Sequence, residues 1–424
     1  MPAPELIPPD LSRARARARR AWALTAWANH GFATTVLVGF FPLFLGKYWA
    51  AELPATRSTL YLGLANSSAS LVVMLLAPWL GAYADRRGQK KFWLGIFTAI
   101  GVIATALLAA IGRGEWQWAL PVFAVASVGF YAGSSFQDAL IVQVATPAEA
   151  HRVSAYGFAA GYLGGGLLLL LNVLLALHPA WFGVRDSIAA TRLAFLDVAL
   201  WWALFTLPLF RHVPEAPPTV EAPGWAELWG TIRKVLSDRT VRGFLFAYWL
   251  YIDGIGTLQQ MAVDFGSKLG LPTSALIQAL LLVQFISFPS ALVFGRLGDR
   301  IGARRAILIG LAVFVFVSVW ALFLQSAWQF YAMAVMVGTV QGGVQSLSRS
   351  LFSKLIPRER SGEYFGFYNM LGKFAAVLGP VLVGVMATLS GSSRVGVSSL
   401  MLLFGAGAVL LWRVRLVEPA ESRG

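Results

Sequence analysis

The stretch that decides the fold reads Gly81-Ala82-Tyr83-Ala84-Asp85-Arg86-Arg87-Gly88-Gln89-Lys90-Lys91. It recurs, with its aspartate 214 residues further along the chain, as Gly295-Arg296-Leu297-Gly298-Asp299-Arg300-Ile301-Gly302-Ala303-Arg304-Arg305. Both copies follow the pattern Gly-x-x-x-Asp-Arg-x-Gly with basic residues after it, and both connect two long apolar segments. One polar turn of this kind is weak evidence. The same turn in each half of the chain indicates an internal duplication.

The composition is typical of a membrane protein. Of the 424 residues, 57% are hydrophobic and only 13% are charged, and apolar stretches of about 20 residues, enough to cross a bilayer, recur along the chain. We predict spans at 21–48, 58–82, 92–112, 117–143, 154–177, 191–210, 243–266, 274–297, 305–325, 328–350, 362–388 and 395–412. Several spans contain polar residues, and we expect function to reside there. The chain has no cysteine and four histidines, so disulfides and a thiolate or histidine-rich metal site are not expected.

The distribution of charge predicts the orientation. An even number of spans puts both termini on one side, and most of the 34 Lys and Arg residues fall on that side. Cytoplasmic loops carry such an excess, which explains the net charge of +14 without nucleic acid. The predicted layout is a basic cytoplasmic arm (1–20), a six-helix half (21–210), a cytoplasmic linker (211–242), a second six-helix half (243–412) and a cytoplasmic tail (413–424). Helical spacing in the linker predicts an amphipathic helix that lies on the membrane or binds a partner.

A second repeated pattern supports the duplication. Pro147-Ala148-Glu149-Ala150 precedes Tyr156-Gly157-Phe158, and Pro357-Arg358-Glu359-Arg360 precedes Phe365-Gly366-Phe367 at a similar offset. Twelve spans in two halves, with these loops in both, resemble the major facilitator superfamily. The resemblance implies an all-α membrane protein with twelve transmembrane helices in two pseudo-symmetric six-helix halves.

Four stretches resemble one branch of that superfamily, which contains bacterial transporters of unknown substrate and the yeast vacuolar amino-acid effluxer linked to autophagy. They are Trp27-Ala28-Asn29-His30-Gly31-Phe32-Ala33-Thr34-Thr35, Gly161-Tyr162-Leu163-Gly164-Gly165-Gly166, Asp253-Gly254-Ile255-Gly256-Thr257 with Met261-Ala262-Val263-Asp264, and Gln341-Gly342-Gly343-Val344-Gln345-Ser346-Leu347-Ser348-Arg349-Ser350 continuing to Lys373 and Gly379-Pro380. The branch usually places Tyr-Asp before the Trp-Ala-Asn of span 1, whereas this chain has Thr25-Ala26. If that aspartate binds the substrate or a proton in other members of the branch, this protein differs from them in its substrate or in its coupling.

The resemblance implies a gating role for the repeated loops. In the superfamily the loop aspartate engages the start of a helix in the opposite half, where unpaired N–H groups and the positive dipole end attract a carboxylate. Asp85 is therefore expected near 361–363, and Asp299 near 152–154. The other gating candidates are Arg86, Arg300, Asp138 and Arg349. The alternative is that both loops only enforce tight, positive-inside turns.

Ionisable residues inside the bilayer are costly and are therefore candidates for function. Asp253 and Lys373 lie at similar depths in spans 7 and 11, where they would accept the two charges of a zwitterion or form an ion pair that only braces the helices. Asn29 and His30 hold a corresponding place in span 1, and His30 either carries a coupling proton or only bonds a neighbour. Gln259 and Gln345 complete the substrate-binding candidates, with interhelical hydrogen bonding as the alternative.

Two further expectations are structural. Asp197 in span 6 is expected to pair with Arg192. The glycines of 161–166 are expected to permit close helix contact, because no strand precedes them and no Lys-Ser/Thr follows, as a phosphate loop would require.

The leading function is secondary active transport of a small solute, with an amino acid or similar zwitterion as the best candidate and with efflux and proton coupling as further expectations. No Gly-x-x-x-x-Gly-Lys-Ser/Thr is present, so the chain has no such ATPase motif of its own. No enzyme activity and no cofactor are expected. The alternatives are an integral-membrane enzyme acting on lipid-linked substrates, a channel, or a non-transporting scaffold. The expected partners are a small-molecule substrate, protons and the lipid bilayer of the cell membrane. No nucleic acid partner is expected. The protein is expected to be a monomer.

Overall fold

The computed structural model describes residues 9–218, 233 and 237–414. The predicted amphipathic helix of the linker falls outside this part of the chain. Besides short 3₁₀ helices at Pro179–Phe182, Ala321–Phe323 and Arg358–Arg360, the described residues form twelve long helical segments, which we number in chain order. They are α1 (Ser12–Trp49, preceded by helical turns from Pro9), α2 (Ala55–Arg87), α3 (Lys90–Leu108), α4 (Trp116–Val144), α5 (Ala150–Leu177), α6 (Ser187–His212), α7 (Arg239–Lys268), α8 (Thr273–Ile301), α9 (Ala303–Trp320), α10 (Ala327–Leu355), α11 (Ser361–Ser390) and α12 (Ser393–Arg413).

Length and composition suit these helices to a bilayer. Within the described part of the chain, nine of them are long and apolar enough to cross a membrane. The other three, α7, α10 and α11, hold candidate residues from the sequence: Asp253 and Gln259 on α7, Gln345 and Arg349 on α10, and Lys373 on α11. On α2, large apolar side chains face outward at helical spacing, and their exposed fractions are 58% for Leu60, 57% for Leu64, 51% for Leu71 and 67% for Leu75. Such a face is stable against lipid and unfavourable in water.

Helix packing repeats between the two halves. In the first half α1 packs on α5 and α6, α4 packs on α2 and α3, and α3 packs on α6. In the second half the same pairings occur six helices later, between α7 and α11 or α12, α10 and α8 or α9, and α9 and α12. Across the halves α2 packs on α11, and their counterparts in the repeat, α8 and α5, pack on each other in the same way. The internal duplication is therefore visible in three dimensions.

Both repeated loops turn through a glycine that the backbone requires. Gly88 ends α2 with φ +59°, and Gly302 separates α8 from α9 with φ +85°. Residues with a Cβ rarely adopt this region, so the last glycine of each Asp-Arg-x-Gly motif is needed for the turn. We call the end of the bundle that holds residues 87–90 and 301–303 the motif end.

The first helix differs from the sequence-based layout. The predicted boundary between an arm and the first span, at 20/21, lies inside a continuous helix. Ala18 is buried, and the Arg19 guanidinium bonds the Glu149 carboxylate at 2.6 Å, so residues before 21 already pack on the bundle. Further along, Phe32–Phe40 and Leu45–Trp49 are π-helical, a conformation often found at functional sites.

Candidate functional site: an interdomain gate and a polar cluster

The first repeated loop joins the two halves through Asp85. Its Oδ1 accepts a hydrogen bond from the Gly362 backbone N–H at 2.9 Å, and its Oδ2 accepts one from Glu363 at 2.8 Å. These N–H groups belong to the first turn of α11, where they have no partner within the helix. The Lys90 ammonium lies 2.6 Å from the same carboxylate, and Asp85 is only 6% exposed. Asp85 thus lies at the residues expected from the sequence.

The second loop also reaches the opposite half, but through a side-chain ion pair. Asp299 forms an ion pair with Arg152 in the first turn of α5, in the opposite half. The Arg152 side chain is 71% exposed, so water screens this pair much more than the contact of Asp85. Arg86 is half-buried and Arg300 is exposed at the motif end.

Glycines bring the backbones of α2 and α11 into direct contact. A Cβ at Gly81 would overlap the Gly362 carbonyl oxygen, and a Cβ at Gly366 would lie 2.7 Å from the Ala77 carbonyl oxygen. The first glycine of the repeated motif is therefore required for helix approach. Its counterpart Gly295 is similarly close to α5, since a Cβ there would lie 2.5 Å from that of Ala155.

Arg349 ties α10 to the first half by a buried network. Its Nη1 donates to Asp138 Oδ1 at 2.8 Å, while its Nε and Nη2 donate to the Ser154 hydroxyl and carbonyl, each at 2.9 Å. The guanidinium also lies over the rings of Trp22, at 4.7 Å, and Phe158, at 4.3 Å. Arg349 is 4% exposed. A planar, multidentate cation suits this site as a lysine would not.

A histidine that the sequence reasoning missed adds to the same contact. His151 Nδ1 lies 2.7 Å from the Ser350 hydroxyl, and the Lys354 ammonium lies 2.8 Å from His151 Nε2. An ammonium group only donates, so Nε2 accepts and the imidazole is neutral with its proton on Nδ1. The ring also lies beside Gly298, where an added Cβ would be 3.6 Å from it, an ordinary contact distance, but only 2.5 Å from a Leu347 methyl carbon.

At mid-depth, α5 and α10 share a polar cluster. The Tyr162 hydroxyl donates to Gln345 Oε1 at 2.8 Å, and Gln341 Nε2 donates to the Tyr162 hydroxyl at 3.0 Å. Tyr162 lies 12 residues into α5, roughly 18 Å from its start at 1.5 Å per residue. Within the described part of the structure, the buried Oε1 of Gln341 has no hydrogen-bond partner. The cluster therefore presents an unused acceptor between the halves.

His30 adjoins this cluster from α1. Its ring packs edge-on against Tyr162, with ring centroids 5.5 Å apart. Nδ1 lies 3.0 Å from the Ala26 carbonyl oxygen, so it holds the proton and Nε2 is the acceptor. Glycines allow this approach, since a Cβ at Gly161 would lie 2.5 Å from His30 Nδ1, and one at Gly164 would lie 2.6 Å from Trp27. This close contact agrees with the expectation for 161–166.

The remaining substrate candidates lie apart from the cluster. Asn29 Nδ2 donates to Gln137 Oε1 at 2.6 Å within the first half, and Gln259 is half-buried on α7. Asp253 is 1% exposed and accepts from the Gly379 N–H at 2.7 Å and from the Thr257 hydroxyl at 3.4 Å. Asp253 thereby bonds α11 immediately before Pro380, which has no backbone N–H and so interrupts the hydrogen bonds of the helix. The side chain of Lys373 lies outside the described part of the structure, so its pairing with Asp253 stays a prediction.

One expected pair is wrong. Asp197 accepts from Asn172 Nδ2 at 3.2 Å, whereas Arg192 donates to the Tyr48 hydroxyl at 2.9 Å and to the Ile111 carbonyl at 3.1 Å. Residues five apart on a helix point about 140° away from each other, so the two side chains face different neighbours.

Comparisons with known proteins agree with this architecture. The family described as "Vacuole effluxer Atg22 like" matches residues 55–421. An uncharacterized MFS-type transporter of Bacillus subtilis (strain 168), YxiO, is 36% identical over 399 residues, which are 92% of this chain and 93% of that protein. Autophagy-related protein 22 of Yarrowia lipolytica is 27% identical over 311 residues, covering 63% of this chain and 51% of that protein. The crystal structure of the human organic anion transporter MFSD10 superposes with a TM-score of 0.73 at 16% identity, covering 96% of this chain and all of that one.

The fold and these relatives define a multi-pass membrane transporter of the major facilitator class, not an enzyme. Within that class, the chain belongs to the Atg22-like family.

Proposed function

We propose that this transporter moves an amino acid or similar small zwitterion by alternating access, outward from the cytoplasm and coupled to protons. The observation that carries the proposal is the pairing of a closed motif end with a polar cluster at mid-depth. Asp85, Asp299 and Arg349 join the halves at that end, and Tyr162, with its glutamine partners, lies where the halves meet further in. Transporters built from repeats bind their substrate at this depth, between the halves.

The cluster has the donors and acceptors that a zwitterion requires. An ammonium group needs an acceptor, which the unpartnered Oε1 of Gln341 supplies. A carboxylate needs donors, which the Tyr162 hydroxyl and the glutamine amide groups supply once their present bonds exchange. Asp253 and Lys373 are the proposed charged partners from the second half.

His30 is the proposed proton carrier. Its Nε2 is an acceptor beside Tyr162, and a histidine is the side chain whose charge changes near neutral pH. A proton on Nε2 would place a positive charge beside the cluster and attract the substrate carboxylate. Binding of proton and substrate would then reinforce each other.

We propose that the motif end faces the cytoplasm of the cell. The excess of Lys and Arg in the segments at that end supports this orientation. In the described conformation the cytoplasmic gate is closed, and the contacts of Asp85 and Arg349 must break for substrate to enter from inside.

The test is counterflow in proteoliposomes with a panel of labelled amino acids, with and without a proton gradient. Tyr162→Phe removes the hydroxyl proposed to donate to the substrate carboxylate, so we expect the KM to rise about tenfold or more, because a hydrogen bond to a charged group contributes about 1.5–3 kcal/mol. Tyr156→Phe is the matched control, because Tyr156 lies on the same helix and is 44% exposed. Equal KM values for both variants would refute the proposed site, and no uptake of any amino acid would refute the substrate class.

His30→Gln tests the coupling separately. We expect it to abolish the stimulation by a proton gradient while exchange without a gradient continues. Gradient stimulation that survives in His30→Gln would remove this residue from the proton pathway.

A further inference from the structure

A groove lies on the outside of the bundle at the motif end, between the start of α7 and the end of α12. Its volume is about 480 Å³, and none of the residues that line it belongs to the polar cluster. Its walls include three arginines, an indole and three large apolar side chains: Arg239, Arg242, Arg413, Trp249, Phe246, Leu250 and Leu410.

The groove is cationic at one end. Arg239 and Arg413 come from different helices, are both exposed, and converge on the same opening. The guanidinium fork binds phosphate oxygens in a bidentate manner, so two forks on one opening favour a phosphate monoanion or diester. Asp238 lies beside Arg239, but its Oδ1 accepts the Thr240 and Val241 N–H groups at 2.8 and 3.0 Å. The carboxylate is thus directed at the helix terminus, and the groove keeps a net positive charge.

Deeper along the helices the groove is apolar. Phe246 lies about two turns after Arg239 and is 46% exposed, and Leu410 lies about one turn before Arg413 and is 37% exposed. Trp249 lies one turn beyond Phe246 on α7, and its indole Nε1–H is buried and, within the described residues, has no hydrogen-bond partner. A ligand that fills the groove must therefore combine an anionic head and an apolar tail.

The position of the groove matches the boundary of a bilayer. α7 begins at Arg239 and α12 ends at Arg413, and Trp412, 67% exposed, is of the residue type that gathers at membrane interfaces. Charged side chains are thus at headgroup level and the apolar walls at the level of the acyl chains. Basic pockets between transmembrane helices bind anionic lipid headgroups in this arrangement.

We propose that this groove is a binding site for one anionic phospholipid, whose phosphate lies between Arg239 and Arg413 and whose acyl chain lies along Phe246 and Leu410. The lipid links α7 to α12, and the site is independent of the solute that the transporter carries.

The test is native mass spectrometry of the full chain in detergent, titrated with phosphatidylglycerol, with phosphatidylcholine of the same acyl chains, or with soluble glycerol phosphate. We expect one phosphatidylglycerol to bind first, before phosphatidylcholine. The double variant Arg239→Gln/Arg413→Gln is expected to weaken that first site roughly thirtyfold, about fivefold for each arginine at a membrane surface.

The matched control is Arg87→Gln/Arg296→Gln, which removes two exposed arginines of the motif end that do not line the groove. It is expected to leave the first binding event unchanged. Equal binding of the two lipids, equal weakening by both double variants, or displacement of the lipid by glycerol phosphate at equal concentration would each overturn the proposal. Thermal melting of both variants without added lipid confirms that each is folded, and Phe246→Ser gives a second test through the apolar wall with all arginines retained.

Discussion

Replacement of Asp85 by asparagine tests the gate most directly. Two charge-assisted hydrogen bonds from Asp85 cross between the halves, to Gly362 and Glu363. An asparagine keeps one acceptor oxygen and has no charge. A hydrogen bond to a charged group contributes about 1.5–3 kcal/mol, so we expect the closed motif end to lose about 3 kcal/mol relative to the open one. This corresponds to roughly a 150-fold shift in the equilibrium.

Lys90 and Asp85 lie in the same half, so their contact is not one of the two bonds that cross between the halves. Asp85→Asn leaves that ammonium, 3% exposed in the described conformation, without its charge partner, which lowers the melting temperature in addition. Asp299→Asn is the matched control in the second copy of the motif. Its partner Arg152 is 71% exposed, and such pairs contribute about 0–1 kcal/mol, at most about a fivefold shift.

The assay is electron–electron double resonance between spin labels on Arg87→Cys and Glu359→Cys, exposed positions on opposite halves of the motif end. The chain has no native cysteine, so only these two sites are labelled. Asp85→Asn should move most of the distance distribution to longer values, and Asp299→Asn should change it little. Unchanged distances in Asp85→Asn, or equal changes in both variants, would refute the reasoning.

Other predictions concern stability and can be read by thermal or denaturant unfolding in detergent. Arg349→Lys should destabilise the protein by about 2–4 kcal/mol, because a lysine cannot bond Asp138 and Ser154 together in this buried site; an unfolding midpoint like that of the wild type would contradict this. Gly302→Ala should cost about 1 kcal/mol through its positive φ, and an unchanged or raised midpoint would argue against the strained turn. Asp186 caps α6, where the Ala189 N–H and then Arg185 hold the pKa of its carboxylate below the ordinary 3.8. Because the pKa of Asp186 is lower in the folded state, the stabilisation by its carboxylate is present above about pH 4 and is lost as the pH falls through the folded pKa. Asp186→Ala should therefore lower the unfolding midpoint at pH 7, and the difference from the wild type should disappear toward pH 3. A difference that does not depend on pH would contradict a role for the carboxylate charge.

The sequence predicts those parts of the fold and gate that rest on local chemistry. Gly88 and Gly302 predict the two turns, because few other residues adopt the positive φ that both glycines have. The duplicated Asp-Arg-x-Gly motif, with the resemblance, leads to Asp85 beside 361–363, because a carboxylate and a helix start attract each other wherever they meet. Hydropathy indicates a membrane protein with many spans, the resemblance implies the fold class, and the matched family and structures confirm the class.

Contacts between distant helices were harder to predict. Tyr162 stands in an apolar, glycine-rich run and resembles an ordinary core aromatic, so its bonds to Gln341 and Gln345 appear only when α5 meets α10. His151 lies in the first turn of α5, and its contacts with Ser350 and Lys354 exist only because α5 packs on α10 of the other half. A signal for both existed in the sequence, since a polar side chain facing an apolar neighbourhood needs a partner, but the identity of the partner depends on the tertiary structure.

The glycine contact between α2 and α11 has a consequence for the speed of the working cycle. Gly81, Gly362 and Gly366 bring backbone against backbone, and a glycine has no side-chain rotamers to immobilise. An ordinary interface orders each long side chain at a cost of about 0.5–1.5 kcal/mol on every closure. A contact made by bare backbone avoids that recurring entropic cost, so the two helices can separate and meet again without a search among rotamers.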